Sequence, residues 1–106
     1  VNTGQGGLSL PNKDFYTNTD AKSVETREKF VQYMTNMFKL TGDSADKAAA
    51  NAKTVMAVQT RLANAALSPV ELRDPDKRYN KMTLEDAQKL TPNFSWTDYM
   101  TVRGIT

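Results

Sequence analysis

Apolar residues recur at three- and four-residue spacing in two long stretches, residues 23–40 and 44–66, and this constrains the fold more than any other feature. In the first stretch Val24, Phe30, Val31, Met34, Met37 and Phe38 fall on one face of a helix. Ser23 is the expected N-cap, Glu25 stands in the first turn near the positive helix end, and Lys29 follows Glu25 at pairing distance. Gly42, after Lys39-Leu40-Thr41, is the expected stop. Asp43 or Ser44 then caps a second helix running to about Ala66, and its nine alanines give it high intrinsic propensity. Ala48, Ala52, Val55, Gln59, Leu62 and Ala66 line one face, with Met56 and Ala63 beside it. Alanines admit a neighbouring helix closely, so the two helices are predicted to form an antiparallel hairpin across a very short turn. The stripe of Met and aromatic residues reads as core packing, with a ligand groove as the alternative.

The flanks are less regular. Residues 1–22 are rich in Gly, Asn, Thr and Asp and read as an irregular arm. The glycines of Gly4-Gln5-Gly6-Gly7 lack the Gly-Lys-Ser/Thr and the strand context of a phosphate loop. Leu8, Leu10, Phe15 and Tyr16 flank Pro11 and are expected to tack the arm onto the helical body. Residues 67–106 read as two or three short helices. Ser68-Pro69-Val70-Glu71 is a capping box with the favoured N1 proline, and Pro75 limits it to a short turn. Thr83 caps Leu84 to about Leu90, Pro92 stops that helix, and Ser95 caps a last one in which Trp96, Tyr99 and Met100 share a face. Asn80 and Thr83 are expected to fix the start of the Leu84 helix. Tyr79, Met82, Leu84 and Trp96 are expected to pack as one aromatic cluster, with Phe94 buried. No stretch alternates like a strand. The expected fold is all-α, one helical segment over residues 1–106 that belongs to a larger helical domain.

Composition removes whole classes of chemistry. The 106 residues contain no His and no Cys. Catalytic zinc sites draw on imidazole in nearly every arrangement, and Ser-His or Cys-His catalysis needs groups that are absent. Glu71, Asp74 and Asp76, interleaved with Arg73, Lys77 and Arg78, lack the spacing of a calcium loop and read as surface pairing. The net charge of +2 is spread over 14 basic and 12 acidic residues of alternating sign. Despite an isoelectric point near 8.9, no basic cluster with aromatics points to nucleic acid. No run approaches a membrane span, and no basic-then-apolar leader is present. Asn93-Phe94-Ser95 is a formal glycosylation sequon read as chance. A start at Val1-Asn2-Thr3-Gly4 without Met reads like a segment of a longer protein.

Two blocks carry a family resemblance. Arg73-Asp74-Pro75, then Tyr79-Asn80-Lys81-Met82-Thr83-Leu84, then Pro92-Asn93-Phe94-Ser95-Trp96 resemble a run found in neprilysin-like zinc metallopeptidases. Upstream, Gln5-Gly6-Gly7-Leu8-Ser9-Leu10-Pro11 with Asp14-Phe15-Tyr16 looks like that family's Gln-x-Gly-Leu-Gly-Leu-Pro and Asp-Tyr-Tyr, with Ser9 in place of Gly and Phe15 in place of Tyr. The residues matched to family motifs are Gly6, Leu8, Leu10, Pro11, Arg73, Asp74, Pro75, Tyr79, Asn80, Met82, Thr83, Phe94 and Trp96. None of them is a catalytic or metal position in that family. The resemblance implies a piece of the helical domain that limits access to the cavity of a zinc endopeptidase, with zinc and the general base elsewhere in the parent. It implies as partners the remainder of the parent and its peptide substrates, and a periplasmic or extracellular parent. Because the animal relatives are disulfide-bonded, the absence of Cys points to a bacterial member.

The alternative is a free-standing helical module that binds peptides without cutting them. A segment of a larger domain would leave apolar faces open, so self-association or domain swapping through Phe30, Phe38, Trp96 or their neighbours is expected.

Overall fold

The computed structural model describes residues 1–105, and it is all-α: α1 (Asp14–Thr17), α2 (Ala21–Leu40), α3 (Ala45–Ala65), α4 (Pro75–Arg78), α5 (Leu84–Leu90) and α6 (Trp96–Val102), with a 3-10 turn at Glu71–Arg73. No strand occurs among the described residues. The chain divides into two compact units, Val1–Asp74 and a second beginning at Pro75.

In the first unit α2 and α3 form the expected antiparallel hairpin. Gly42 takes φ +108°, the left-handed region where a side chain is strained. Its N–H reaches the Lys39 carbonyl at 3.1 Å, and the Asp43 N–H reaches Phe38 at 3.1 Å. These two bonds close α2 in a Schellman motif and satisfy carbonyls that the helix leaves open.

The start of α2 differs from expectation. Asp20, not Ser23, is the N-cap. Asp20 Oδ2 accepts the Ser23 N–H at 3.0 Å, and Oδ1 accepts the Ser23 hydroxyl at 2.8 Å. Asp caps as well as Ser, and starting at Asp20 places Ser23 in the first turn, where its N–H and its hydroxyl both donate to the capping carboxylate. Glu25 and Lys29 do pair, at 2.8 Å. The arm also contains helix, since α1 occupies Asp14–Thr17. Its start is fixed by Asn12, whose side chain accepts the Asp14 N–H at 2.9 Å.

The inward face of α3 is built from Ala48, Ala52 and Ala63, all fully buried. Leu62, expected on that face, is 55% exposed, and Ala63 holds the inner position. A leucine there would hold α1 and the arm away, because Ala63 touches the cluster that contains Leu10 and Tyr16. Leu8, Phe15, Phe30 and Met56 pack around that cluster, so the arm is tacked down by the residues expected to do so. The core is thin: Leu10, Tyr16 and Met34 are its only large buried side chains among the described residues.

The capping box at Ser68 is present, with reciprocal bonds between Ser68 and Glu71 of 3.1 and 3.2 Å. It opens a 3-10 turn that ends at Asp74, whose backbone is extended before Pro75. In the second unit α4 is a four-residue helical turn with Pro75 at its first position. Thr83 caps α5 through the Asp86 N–H at 3.1 Å, and Ser95 caps α6 through the Asp98 N–H at 3.2 Å. Gly104, at φ +67°, closes α6 with a second Schellman motif, its N–H on Thr101 and that of Ile105 on Met100.

Candidate functional site

The upstream motif folds into a latch across the end of α3. The last carbonyls of a helix have no partner within it. Here Lys13 Nζ donates to the Ala66 carbonyl at 3.0 Å. The Gln5 side-chain amide pairs with both backbone groups of Leu67, donating to its carbonyl at 3.1 Å and accepting its N–H at 2.8 Å. Deeper in, the Tyr16 hydroxyl accepts the Leu10 N–H at 2.9 Å and donates to Gln59 Oε1 at 2.5 Å. Gln59 Nε2 in turn donates to Ser9 Oγ at 2.8 Å. Arg27 of α2 holds the other end of α1, donating to the Phe15 and Asn18 carbonyls at 2.8 and 2.7 Å.

Gly6, Leu8 and Pro11 line a cleft of about 630 Å³ between this arm and the end of α3, with Lys13 and Leu62 among its other walls. Leu10 is buried in the cluster with Tyr16 and Ala63. Sequence reasoning named Leu8, Leu10 and Tyr16 as anchors but missed Gln5, Lys13 and Gln59 as bonding partners. Gln59 carried a usable signal, a long polar side chain on an otherwise apolar helix face.

The downstream motif is distributed differently. Arg73 and Asp74 end the 3-10 turn of the first unit, and Pro75 opens the second. Tyr79 is 72% exposed and joins no aromatic contact among the described residues, and Met82 and Leu84 are also exposed. The aromatic cluster is instead Phe94, Trp96 and Tyr99, with ring centroids 5.0 to 6.1 Å apart. Those three sit within six residues at the start of α6, whereas Tyr79 is separated from α5 by a run without regular structure. Phe94, expected to be buried, is 46% exposed. Asn80 donates to the Lys77 carbonyl at 3.2 Å and so closes α4, leaving Thr83 alone of the pair to cap α5. Gln88, which no sequence signal marked, ties α5 to α6: its amide donates to the Phe94 carbonyl at 2.8 Å and accepts the Trp96 N–H at 3.1 Å. The Trp96 indole donates to Thr91 Oγ1 at 2.8 Å.

An apolar groove of about 340 Å³ runs between α2 and α3 on the side of the arm. Phe30, Tyr33, Met37 and Phe38 form one wall and Val55 the other, with Ser9 and Gln59 at the arm. Its lining carries no charge. Here the Met and aromatic stripe is divided: Met34 is buried as core, whereas Met37 is 45% exposed.

The hydrogen bonds from Ser23 hold the Asp20 carboxyl below its ordinary value. The ion pair with Lys29 lowers Glu25 and raises Lys29. These are exposed groups doing local structural work. Among the described residues no three acidic side chains converge as metal ligands, and every buried side-chain nitrogen or oxygen has a partner. Without imidazole or thiolate, the residues present do not fit a zinc site. No helix of the described residues is long and apolar enough to cross a membrane.

Residues 1–106 match the N-terminal region of peptidase family M13. The chain belongs to this family. It is 30% identical over 99 residues to neprilysin-3 of Drosophila melanogaster, covering 93% of this chain and 13% of that protein. It is 32% identical over 98 residues to endothelin-converting enzyme-like 1 of Rattus norvegicus, covering 91% and 12%. With endothelin-converting enzyme 1 of Bos taurus it shares 30% over 102 residues, covering 94% and 13%. The chain therefore spans about an eighth of the length of these M13 relatives. No solved structure matches it.

Proposed function

We propose that this chain is a non-catalytic part of an M13 zinc metalloendopeptidase, and that its helices help wall the substrate cavity so that small peptides enter and folded proteins do not. One observation carries the reading: a family match over residues 1–106 by a sequence with no His and no Cys. Zinc and the general base then belong to other parts of the parent polypeptide. The motif residues are architectural in this reading, which the latch of Gln5, Lys13 and Tyr16 supports. We also place the parent in a bacterium. The relatives named above are animal proteins, so that source rests on the absence of Cys alone.

A second reading draws on the apolar groove, whose 340 Å³ is large enough for one or two side chains of a peptide. It makes the chain a free-standing peptide-binding module.

The test uses the complete product of the encoding gene and the 106-residue chain side by side. Each is offered internally quenched peptides of increasing length and a folded protein, with and without a zinc chelator. The expected result is chelator-sensitive cleavage by the complete product that falls with substrate length, and none by the short chain. Cleavage of the folded protein as fast as of the peptides would sink the cavity-wall reading. Peptide binding by a short chain whose gene encodes nothing further would favour the second.

A further inference from the structure

Helix α2 carries more apolar surface than one neighbour covers. Met34 faces α3 and is buried. Phe30, Tyr33, Met37 and Leu40 repeat at spacings of three, four and three on an adjacent stripe, where Tyr33, Met37 and Leu40 are 59%, 45% and 81% exposed. An apolar face this wide belongs to a helix with two packing partners. Phe30 and Tyr33 stack along this stripe with ring centroids 6.5 Å apart, and Val55 of α3 stands on the other wall of the groove. Two antiparallel helices with apolar residues on both walls of the furrow between them present the seat of a third. The stripe from Phe30 to Leu40 is about 15 Å long, some three helical turns.

We infer that this groove seats an amphipathic helix from another part of the same polypeptide, and so is an internal packing face rather than a wall of the substrate cavity. The inference rests on the proposed placement of the chain within a longer peptidase. Three observations choose this occupant. The M13 relatives are roughly seven to eight times the length of this chain, so ample sequence is available to supply a helix. The groove lining is uncharged and dominated by aromatic and Met side chains, which fits apolar side chains at three- and four-residue spacing and no charged ligand. The core beneath α2 is too thin to stand alone, with Met34 the only large buried side chain of that helix among the described residues.

The absence of Cys from this chain supplies a clean probe. Tyr33→Cys and Met37→Cys are made singly, in the 106-residue chain and in the complete gene product, with cysteines elsewhere in the latter replaced. Reaction of each thiol with a small maleimide is timed in dilute, monomeric protein and normalised to the denatured chain. The expected result is near-denatured rates in the short chain and rates at least about tenfold slower in the complete product. Equal, fast labelling in both would overturn the inference, as would slow labelling of the monomeric short chain. Protection in the complete product that disappears when a dimer dissociates would assign the groove to a second copy and also overturn it. Peptidase activity is measured separately: an inactive complete product with protected thiols sinks the proposed function and leaves the seat standing, and the reverse pattern does the opposite.

Discussion

Removing one oxygen, in Tyr16→Phe, should unfasten the arm. The Tyr16 hydroxyl is the acceptor for the buried Leu10 N–H and the donor to Gln59 Oε1, while the ring fills the cluster around Ala63. Phenylalanine keeps the ring and leaves Leu10 N–H without a partner in a residue only 8% exposed. A stranded buried donor costs about 1–3 kcal/mol. Gln59 is half-buried and regains part of its loss from water, so the sum is set at about 2 kcal/mol. For a domain of this size that lowers the melting temperature by roughly 10 °C. Amide exchange at Leu10 is the sharper assay, because an arm that detaches locally exposes that N–H first, and its rate should rise about thirtyfold. In the double variant Tyr16→Phe with Gln59→Met the loss should be smaller than the sum of the two singles, since both partners of one bond are gone. A Tyr16→Phe protein within about 0.5 kcal/mol of the parent, with Leu10 exchange unchanged, would refute the latch.

Gln5→Ala should cost about 1 kcal/mol in urea unfolding, because both backbone groups of Leu67 lose their side-chain partner. Gly42→Ala should cost about 1–2 kcal/mol from backbone strain alone, as an added methyl there meets no atom within 4 Å; Gly42→Asn should cost less. Asp20 should titrate below the ordinary Asp range by carboxyl NMR, and Ser23→Ala should move it back up. Its folded value lies below its unfolded one, so the stability it adds is full above the unfolded value and is lost as pH falls through the folded one.

How much of this was legible in the sequence depended on the range of the interactions. The hairpin, Gly42, Thr83 and Ser95 follow from signals a few residues long, where capping and period act locally. Asp20 was missed because two good caps stood three residues apart and local chemistry favours either. The exchange of Leu62 for Ala63 turns on where the arm lies, a contact across some fifty residues that periodicity on α3 cannot encode. Tyr79 failed for the same reason, since membership of a cluster depends on the path of the chain between Asn80 and Thr83. The latch residues Gln5 and Lys13 are polar side chains meeting the end of a helix more than fifty residues away, and nothing near them in sequence announces it.

The most direct measurement of the central claim, that the chemistry of this peptidase lies outside these residues on the same polypeptide, is the encoding gene read past the codon for Thr106. The account predicts an open frame that continues to a His-Glu-x-x-His and a further Glu ligand beyond it. A stop codon near Thr106, or a long open frame without those ligands, would contradict it.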